Sequence, residues 1–261
     1  MKLLFLDDPM VSNIVFYPRK ASIPTNLPPH IKVLKFEVNE EITIGGLLYL
    51  KDPNLPTILM FHGNGEISHD YQYFYALYFE NGVNLAVADF RGYGFSTGQP
   101  IYTSLITDAM PIYTGFKKYL EENNMNPSHF VKGRSLGSVC SSEIGSHNPE
   151  GVKGIIFESG FADIYRLITG LFRIQGPGID PETLKEYSNH VRIEKFNKPV
   201  LIIHGTRDWI IPSEQAHLIY HSIPENVDKT LVLIEGAGHN DIFNYIDEYF
   251  PPLKDFIDKY K

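Results

Sequence analysis

The sequence Gly133-Arg134-Ser135-Leu136-Gly137 follows an apolar run, His129–Gly133, and opens a helix-like segment, Leu136–Ser146. A G-x-S-x-G pattern between a strand and a helix is the setting of a nucleophile elbow, a sharp turn that presents a serine side chain. Small residues two positions before and two positions after Ser135 let the backbone pass without a clash. The alternative is a glycine-rich turn whose serine only caps the helix. The strand–turn–helix context favours the elbow.

Short apolar runs on both sides of this motif predict the strands of a sheet. Ile31–Val38 and Thr43–Leu50 alternate in the manner of paired antiparallel strands. Six further runs, rich in Val and Ile, are typical of parallel strands buried on both faces: Pro56–Phe61, Val83–Asp89, His129–Gly133, Val152–Phe157, Pro199–His204 and Thr230–Ile234. Helix-length segments lie between or after them: Glu66–Phe79, Thr103–Glu122, Leu136–Ser146, Ser213–Ser222 and Asp241–Tyr260. The alternation predicts an α/β fold with a mostly parallel, doubly wound, eight-stranded sheet.

One interval, residues 161–197, breaks the alternation of strands and helices. Before a Gly176-Pro177-Gly178 interruption it carries apolar residues at helical spacing: Ile164, Leu167, Leu171 and Phe172. We expect a single domain over residues 1–261, in which this insertion forms a small helical lid over the sheet edge, because long connections in compact domains are usually functional. An ordinary crossover with an extra helix is the alternative.

A serine needs a base to become a nucleophile, and the base needs a carboxylate to orient it. Ligands of doubly wound sheets bind at the carboxyl ends of the strands, so the residues after each strand are the candidates. Asp208 follows the seventh predicted strand and His239 follows the eighth. The order Ser135, Asp208, His239 along the chain is that of the catalytic triads on this kind of sheet.

Other residues compete for these roles. Glu158 follows the sixth predicted strand, where some hydrolases place the acid. Among the other histidines, His62 is expected to serve its own turn and His204 to be buried. His217 and His221 stand four apart on a helix, but no acid completes an H-E-x-x-H pattern, so we expect no metal site. Five histidines in polar surroundings are expected at the surface: His30, His69, His129, His147 and His190.

An acyl-transfer site also needs two backbone donors for the oxyanion. The first expected donor is the N–H of Leu136, at the start of the helix after the elbow. The second is the N–H of Asn64, in the turn His62-Gly63-Asn64-Gly65-Glu66 after the third predicted strand.

Three side chains are predicted to line the substrate pocket: Phe161, Leu167 and Tyr93. Phe161 and Leu167 belong to the apolar start of the insertion. Tyr93 belongs to the glycine-rich stretch Asp89–Ser96, in which Asp89 and Arg91 are expected to form an internal ion pair.

Composition excludes several other classes of protein. The 261 residues carry 23 Lys and Arg against 31 Asp and Glu, a net charge of −8 without a basic run, which disfavours nucleic acids and anionic membranes as partners. The single cysteine, Cys140, excludes an internal disulfide. The apolar stretch Leu3–Leu6 is too short for a signal peptide, and no segment has the length of a membrane span. We therefore expect a cytoplasmic protein without a membrane anchor, a metal or a cofactor.

With these motifs in place, the sequence resembles the α/β-hydrolase superfamily from about Ile31 onward, and within it the Bem46-like and serine aminopeptidase-like hydrolases. The stretches that carry the resemblance are His62-Gly63-Asn64-Gly65, Asp89-Phe90-Arg91-Gly92-Tyr93-Gly94, Gly133-Arg134-Ser135-Leu136-Gly137, Glu158-Ser159-Gly160-Phe161, His204-Gly205-Thr206-Arg207-Asp208 and Gly238-His239-Asn240-Asp241. The resemblance implies a serine nucleophile, Ser135, with Asp208 as acid and His239 as base, and hydrolysis of a small-molecule acyl substrate.

The resemblance does not name that substrate. Carboxylesterase activity is our first expectation, and a thioesterase or peptidase with the same triad is the nearest alternative. An alternative from another class is a ligand-binding protein that has the hydrolase fold without catalysis.

Overall fold

The structure, a computed structural model, describes residues 5–261 and is built around an eight-stranded sheet. Its strands are β1 (Ile31–Glu37), β2 (Thr43–Tyr49), β3 (Thr57–Phe61), β4 (Asn84–Ala88), β5 (His129–Arg134), β6 (Val152–Glu158), β7 (Val200–Gly205) and β8 (Lys229–Ile234). Each strand begins and ends within one residue of its predicted position. The predicted fold class is confirmed, because runs of branched apolar residues fit the pleated, buried surface of a sheet.

The strand order in the sheet is β1-β2-β4-β3-β5-β6-β7-β8. β1 pairs with β2 and β2 with β4 in antiparallel fashion, and the remaining pairs are parallel. One expectation for the strands is wrong, since β8 is not buried on both faces. It lies at the sheet edge, and Leu233 within it is 39% exposed.

Helices cover both faces of the sheet. They are α1 (Pro9–Val15), α2 (Tyr75–Glu80), α3 (Tyr102–Thr107), α4 (Ala109–Glu122), α5 (Ser138–Ser146), α6 (Ile164–Arg166), α7 (Pro181–Leu184), α8 (Asn189–Ile193), α9 (Glu214–Ser222) and α10 (Ile246–Tyr260). Within residues 5–261, none of them is both long and apolar enough to cross a bilayer.

Successive side chains of each central strand point to opposite faces of the sheet. In β3, Leu59 and Phe61 belong to the apolar cluster that includes α4 and α5, whereas Ile58 and Met60 belong to the cluster that includes α10. This period-two division explains why both alternating sets of side chains in β3 are apolar. It gives the sheet two cores and fixes which way each strand-end residue points.

The predicted helix Thr103–Glu122 is interrupted at Asp108, because Pro111 has no N–H to donate to the carbonyl of Thr107. Asp108 lies between α3 and α4, and its carboxylate accepts hydrogen bonds from Nε and NH2 of Arg91 at 2.6 Å each. The expected pair between Asp89 and Arg91 is therefore wrong. The Asp89 carboxylate instead accepts the backbone N–H and the hydroxyl of Ser68, at 2.6 and 3.0 Å.

The insertion at residues 161–197 consists of short helical pieces. α6 continues into a wide helical turn, Leu167–Leu171, and α7 and α8 follow with a short turn, Lys185–Tyr187, between them. Ile164 and Ile168 are fully buried, which anchors the start of the insertion on the core beside α5 and α9.

The segment between α1 and β1 is also part of the fold. After α1, the chain runs alongside the loop that contains Gly94. Gly94 donates its N–H to the carbonyl of Arg19 at 2.8 Å and accepts the N–H of Ala21 at 2.9 Å. The side chain of Arg19 donates to both carboxylate oxygens of Asp70, at 2.6 and 3.2 Å. These contacts hold residues 15–21 across the carboxyl end of the sheet.

Candidate active site

The turn that follows β5 has the geometry of an elbow. Ser135 has a φ of 51°, in the left-handed region that residues other than glycine rarely adopt. A Cβ atom on Gly133 would meet the Ser141 hydroxyl and the Gly137 carbonyl, and a Cβ atom on Gly137 would meet the carbonyls of Phe61 and His62. The two glycines of the motif are therefore required by close backbone packing, as the sequence predicted.

The structure brings together Ser135, His239 and Asp208, which follow three different strands. Ser135 Oγ lies 2.9 Å from His239 Nε2, and His239 Nδ1 lies 2.6 Å from Asp208 Oδ2. All three residues are buried. Three side chains from the ends of β5, β7 and β8 thus form one continuous hydrogen-bonded chain.

The carboxylate of Asp208 is held in its charged form. Its Oδ1 accepts the backbone N–H groups of Ile210 and Ile211, at 3.0 and 2.7 Å. Burial opposes the charge, but hydrogen bonds from His204 and His239 and from the Ile211 backbone outweigh it and lower the pKa of Asp208 below its ordinary value. The carboxylate therefore remains ionised beside the His239 ring.

The rival acid, Glu158, lies in a separate buried charge cluster. One of its oxygens is 2.5 Å from Lys132 Nζ and accepts the Tyr249 hydroxyl at 2.6 Å, and the other is 3.0 Å from Arg134 Nε. Burial opposes the charge of Glu158, but Lys132 and Arg134 outweigh it and lower its pKa. The structure thus places Asp208, rather than Glu158, against His239.

The two expected oxyanion donors lie on the same cavity as Ser135. Leu136 and Asn64 both line it, and among residues 5–261 neither backbone N–H has a hydrogen-bond acceptor. The Asn64 side chain is fixed on both ends. Its Nδ2 donates to the carbonyl of Val15 at 2.6 Å, and its Oδ1 accepts the Tyr17 N–H at 3.0 Å and the Tyr93 hydroxyl at 2.7 Å.

Tyr93 does not line the cavity, and that expectation is wrong. The side chain is fully buried and packs against Phe90 and His62. Because the tight loop turns the ring inward, only its hydroxyl reaches toward the site, where it holds Asn64. Tyr93 therefore supports the turn that contains Asn64 and does not form a wall of the cavity.

The cavity above Ser135 has a volume of about 340 Å³. Phe161 and Leu167 line it, together with apolar or aromatic residues outside the predicted set: Tyr17, Leu171, Phe172, Ile210 and Ile211. Ile210 and Ile211 come two and three residues after Asp208, which is a signal that the sequence offered. Tyr17 had no such signal, since only the folded chain brings it near the elbow.

The expectations for His62 and His204 hold, and the expectation for His129 does not. His204 is buried with Nε2 2.8 Å from the Ile211 carbonyl, and the Nδ1 of His62 lies 2.8 Å from the carbonyl of Gly63 in its own turn. His129, expected at the surface, is buried against Tyr113, and burial lowers its pKa to about 4. Within residues 5–261, no group of three or more His, Cys, Asp or Glu side chains is placed to hold a metal ion.

A family model and the solved structures that resemble this chain point to the same class of protein, the hydrolases. The family model described as serine aminopeptidase, S33, matches residues 52–175. Pyrococcus furiosus esterase Pf2001 superposes with a TM-score of 0.70 at 18% identity, covering 93% of this chain and 98% of the esterase. The chain thus has the α/β-hydrolase fold, and the findings support a hydrolase.

The chain is also similar in sequence to curated proteins over most of its length. The protein bem46 of Schizosaccharomyces pombe is 26% identical over 247 residues, which are 91% of this chain and 81% of that protein. The α/β hydrolase domain-containing protein 17B of Xenopus laevis is 27% identical over 208 residues, 77% of this chain, and the match spans only 66% of that relative. The resemblance to Bem46-like hydrolases that the motifs predicted is confirmed.

The close packing behind the elbow leads to a test of stability. Replacing Gly137 by Ala should lower the free energy of unfolding by about 1–3 kcal/mol, since the new Cβ would meet two backbone carbonyls that cannot yield. At Gly170 a Cβ would meet nothing within 4 Å, so Gly170→Ala is the matched control and should cost nothing. Chemical denaturation of both variants measures the difference. Equal stability of the two would contradict the packing argument.

Proposed function

We propose that the chain is a serine hydrolase that cleaves a small ester through an acyl-enzyme intermediate. The observation that carries the proposal is the hydrogen-bonded chain from Ser135 Oγ through His239 to Asp208, with distances of 2.9 and 2.6 Å. Ser135 is the proposed nucleophile, His239 the base and Asp208 the acid that orients the ring and stabilises the imidazolium. The backbone N–H groups of Leu136 and Asn64 are the proposed oxyanion donors.

The proposed reaction has two halves. Ser135 Oγ attacks the acyl carbon while its proton passes to His239 Nε2, and the oxyanion forms beside Leu136 and Asn64. His239 then returns the proton to the leaving alcohol, which departs and leaves the acyl group on Ser135. In the second half, water repeats the attack with His239 as base and releases the acid.

The walls of the cavity favour an apolar acyl group. Aliphatic and aromatic side chains surround the elbow, and about 340 Å³ suits a short chain or a single ring. We propose that residues 161–197 act as a lid over this acyl site, because Phe161, Leu167, Leu171 and Phe172 supply one of its walls. The same triad also serves thioesters and amides, so a thioesterase or a peptidase is the second candidate, favoured by the serine aminopeptidase family match.

The nucleophile is tested by Ser135→Ala on a panel of p-nitrophenyl esters, thioesters and aminoacyl anilides. Turnover of the preferred substrate should fall by about 10⁴-fold or more, because no other group can form the acyl-enzyme. Circular dichroism provides the control that the variant is folded. If the variant keeps turnover close to the wild-type rate, Ser135 is not the nucleophile. Binding of substrate without any turnover by the wild type would favour the non-catalytic alternative.

The choice of acid is tested by comparing Asp208→Asn with Glu158→Gln. Asp208→Asn should reduce kcat by about 10⁴-fold, because the amide no longer holds the His239 ring in its productive tautomer. Glu158→Gln should chiefly reduce stability, because it leaves Lys132 and Arg134 buried without full compensation. Measurements of kcat/KM and of denaturation on both variants separate these effects. A deeper loss of kcat in Glu158→Gln would reverse the assignment.

Acyl-chain length tests the size of the pocket. On p-nitrophenyl esters from acetate to palmitate, each buried methylene should add about 0.8 kcal/mol of binding free energy. The value of kcat/KM should therefore rise with chain length and peak at a short chain, when the cavity is full. A second cavity of about 650 Å³ lies behind Leu171, so Leu171→Ala should open the wall and move the peak to longer chains. Ile14→Ala is the matched control, since Ile14 is equally exposed at 40% but lines neither cavity. A wild-type maximum at palmitate would contradict the small pocket.

A further inference from the structure

The guanidinium of Arg134 connects the three loops that form the candidate site. Arg134 belongs to the elbow motif itself and is almost fully buried. Its NH1 lies 2.7 Å from the carboxylate of Glu66, in the turn that carries the oxyanion donor. Its NH2 donates to the backbone carbonyl of His239 at 2.9 Å and to the Asn240 side chain at 3.2 Å. A single planar cation therefore spans the elbow, the oxyanion turn and the histidine loop.

Glu66 in turn binds the peptide groups on both sides of Gly63, one through its side chain and the other through its backbone. Its Oε2 accepts the backbone N–H of Gly63 at 2.9 Å, and its own backbone N–H donates to the carbonyl of Gly63 at 3.2 Å. That carbonyl and the N–H of Asn64 belong to the same planar, trans peptide, so they point in opposite directions. Because the Gly63 carbonyl is held toward Glu66, the Asn64 N–H is directed the other way, without a protein acceptor in residues 5–261.

The charged side chains around Arg134 balance one another. Lys132, Glu158, Arg134 and Glu66 form a series of alternating sign, with contacts of 2.5, 3.0 and 2.7 Å between successive members. Lys132 and Glu158 are fully buried, so each charge requires its neighbour. Arginine suits the central place because its planar fork can bind separate partners on different sides, which a lysine ammonium on a flexible stem does less well.

We propose that Arg134 and Glu66 are positioning residues for the reaction: their ion pair holds the turn that contains Gly63 and Asn64, and the His239 loop, in the arrangement that the transition state requires. This inference rests on the proposed function. Neither residue touches the reacting atoms in this scheme. They act through the oxyanion donor and the base, which interact more strongly with the transition state than with the substrate.

That assignment has a kinetic signature that a purely structural ion pair lacks. Loss of an interaction made only in the transition state lowers kcat and kcat/KM together and leaves KM nearly unchanged. Glu66→Gln keeps the size of the side chain but removes the charge that holds Arg134. We expect its kcat on a short-chain ester to fall about 10- to 100-fold, less than the loss of an oxyanion donor itself, with KM within about twofold of wild type.

Glu143→Gln is the matched control. It breaks another largely buried ion pair, Glu143 Oε2 to Arg192 Nε at 2.7 Å, which packs α5 against α8, and neither residue lines the cavity above Ser135. Both variants should lose stability, but only Glu66→Gln should lose kcat when each is assayed well below its own melting temperature. A wild-type kcat in Glu66→Gln, a loss confined to KM, or an equal loss of kcat in Glu143→Gln would overturn the proposal.

A second variant covers the case in which Glu66→Gln does not fold. Arg134→Lys retains the buried positive charge but cannot span Glu66 and the His239 carbonyl together, so it should show the same fall in kcat. Wild-type kcat in Arg134→Lys would overturn the positioning role. A wild-type chain inactive on every acyl substrate would instead contradict the proposed function, so the two failures are distinguishable.

Discussion

The left-handed backbone of Ser135 shapes the elbow and determines how closely the neighbouring loops approach it. A φ of 51° on a residue with a side chain costs on the order of 1–3 kcal/mol, which the surrounding structure must offset. The turn brings Gly137 so close to the carbonyls of Phe61 and His62 that a side chain there has no space. This approach fixes the end of β3 beside the elbow, and with it the start of the turn that carries Asn64.

Ion pairs and hydrogen bonds hold the residues on both sides of the elbow, in addition to the backbone packing. On one side of the elbow, Asp208 is surrounded by donors, which hold its charge beside His239. On the other side, Arg134 compensates two carboxylates, Glu158 and Glu66, and also donates to the carbonyl of His239. The histidine is thereby held at its ring by one charged group and at its backbone by another. Such double attachment restricts the position of His239, as its proposed role of base requires.

The features that the sequence predicted well depend on local patterns. Strand positions follow from short runs of branched apolar residues, and the candidates Asp208 and His239 follow from the rule that sites lie after parallel strands. The features it missed depend on contacts between distant segments. Tyr93 stands in a suitable loop, but its ring direction is set by Phe90, His62 and Asn64. The burial of His129 and the exposure of β8 likewise follow from neighbours in space and from the sheet edge.

The N-terminal segment shows the same limit more clearly. The residues before β1 carry no motif, yet Val15 and Tyr17 hold the side chain of Asn64, and Tyr17 forms part of the cavity wall. Arg134 stands in the motif at a position written only as x, and its partners Glu66 and His239 lie 68 and 105 residues away in the chain. A pattern of spacing identifies the groups that react, but the groups that support them are identified from three-dimensional contacts.

The central claim is that His239 and Asp208 activate Ser135 for covalent attack. Mass spectrometry of the full chain after exposure to a fluorophosphonate tests it most directly, because the phosphonyl group transfers only to an activated nucleophile. The account predicts one adduct per chain, mapped by peptide sequencing to Ser135, and its strong reduction when His239 is replaced by Ala. An adduct on another residue, or a wild-type chain that remains unlabelled while folded, would contradict the account.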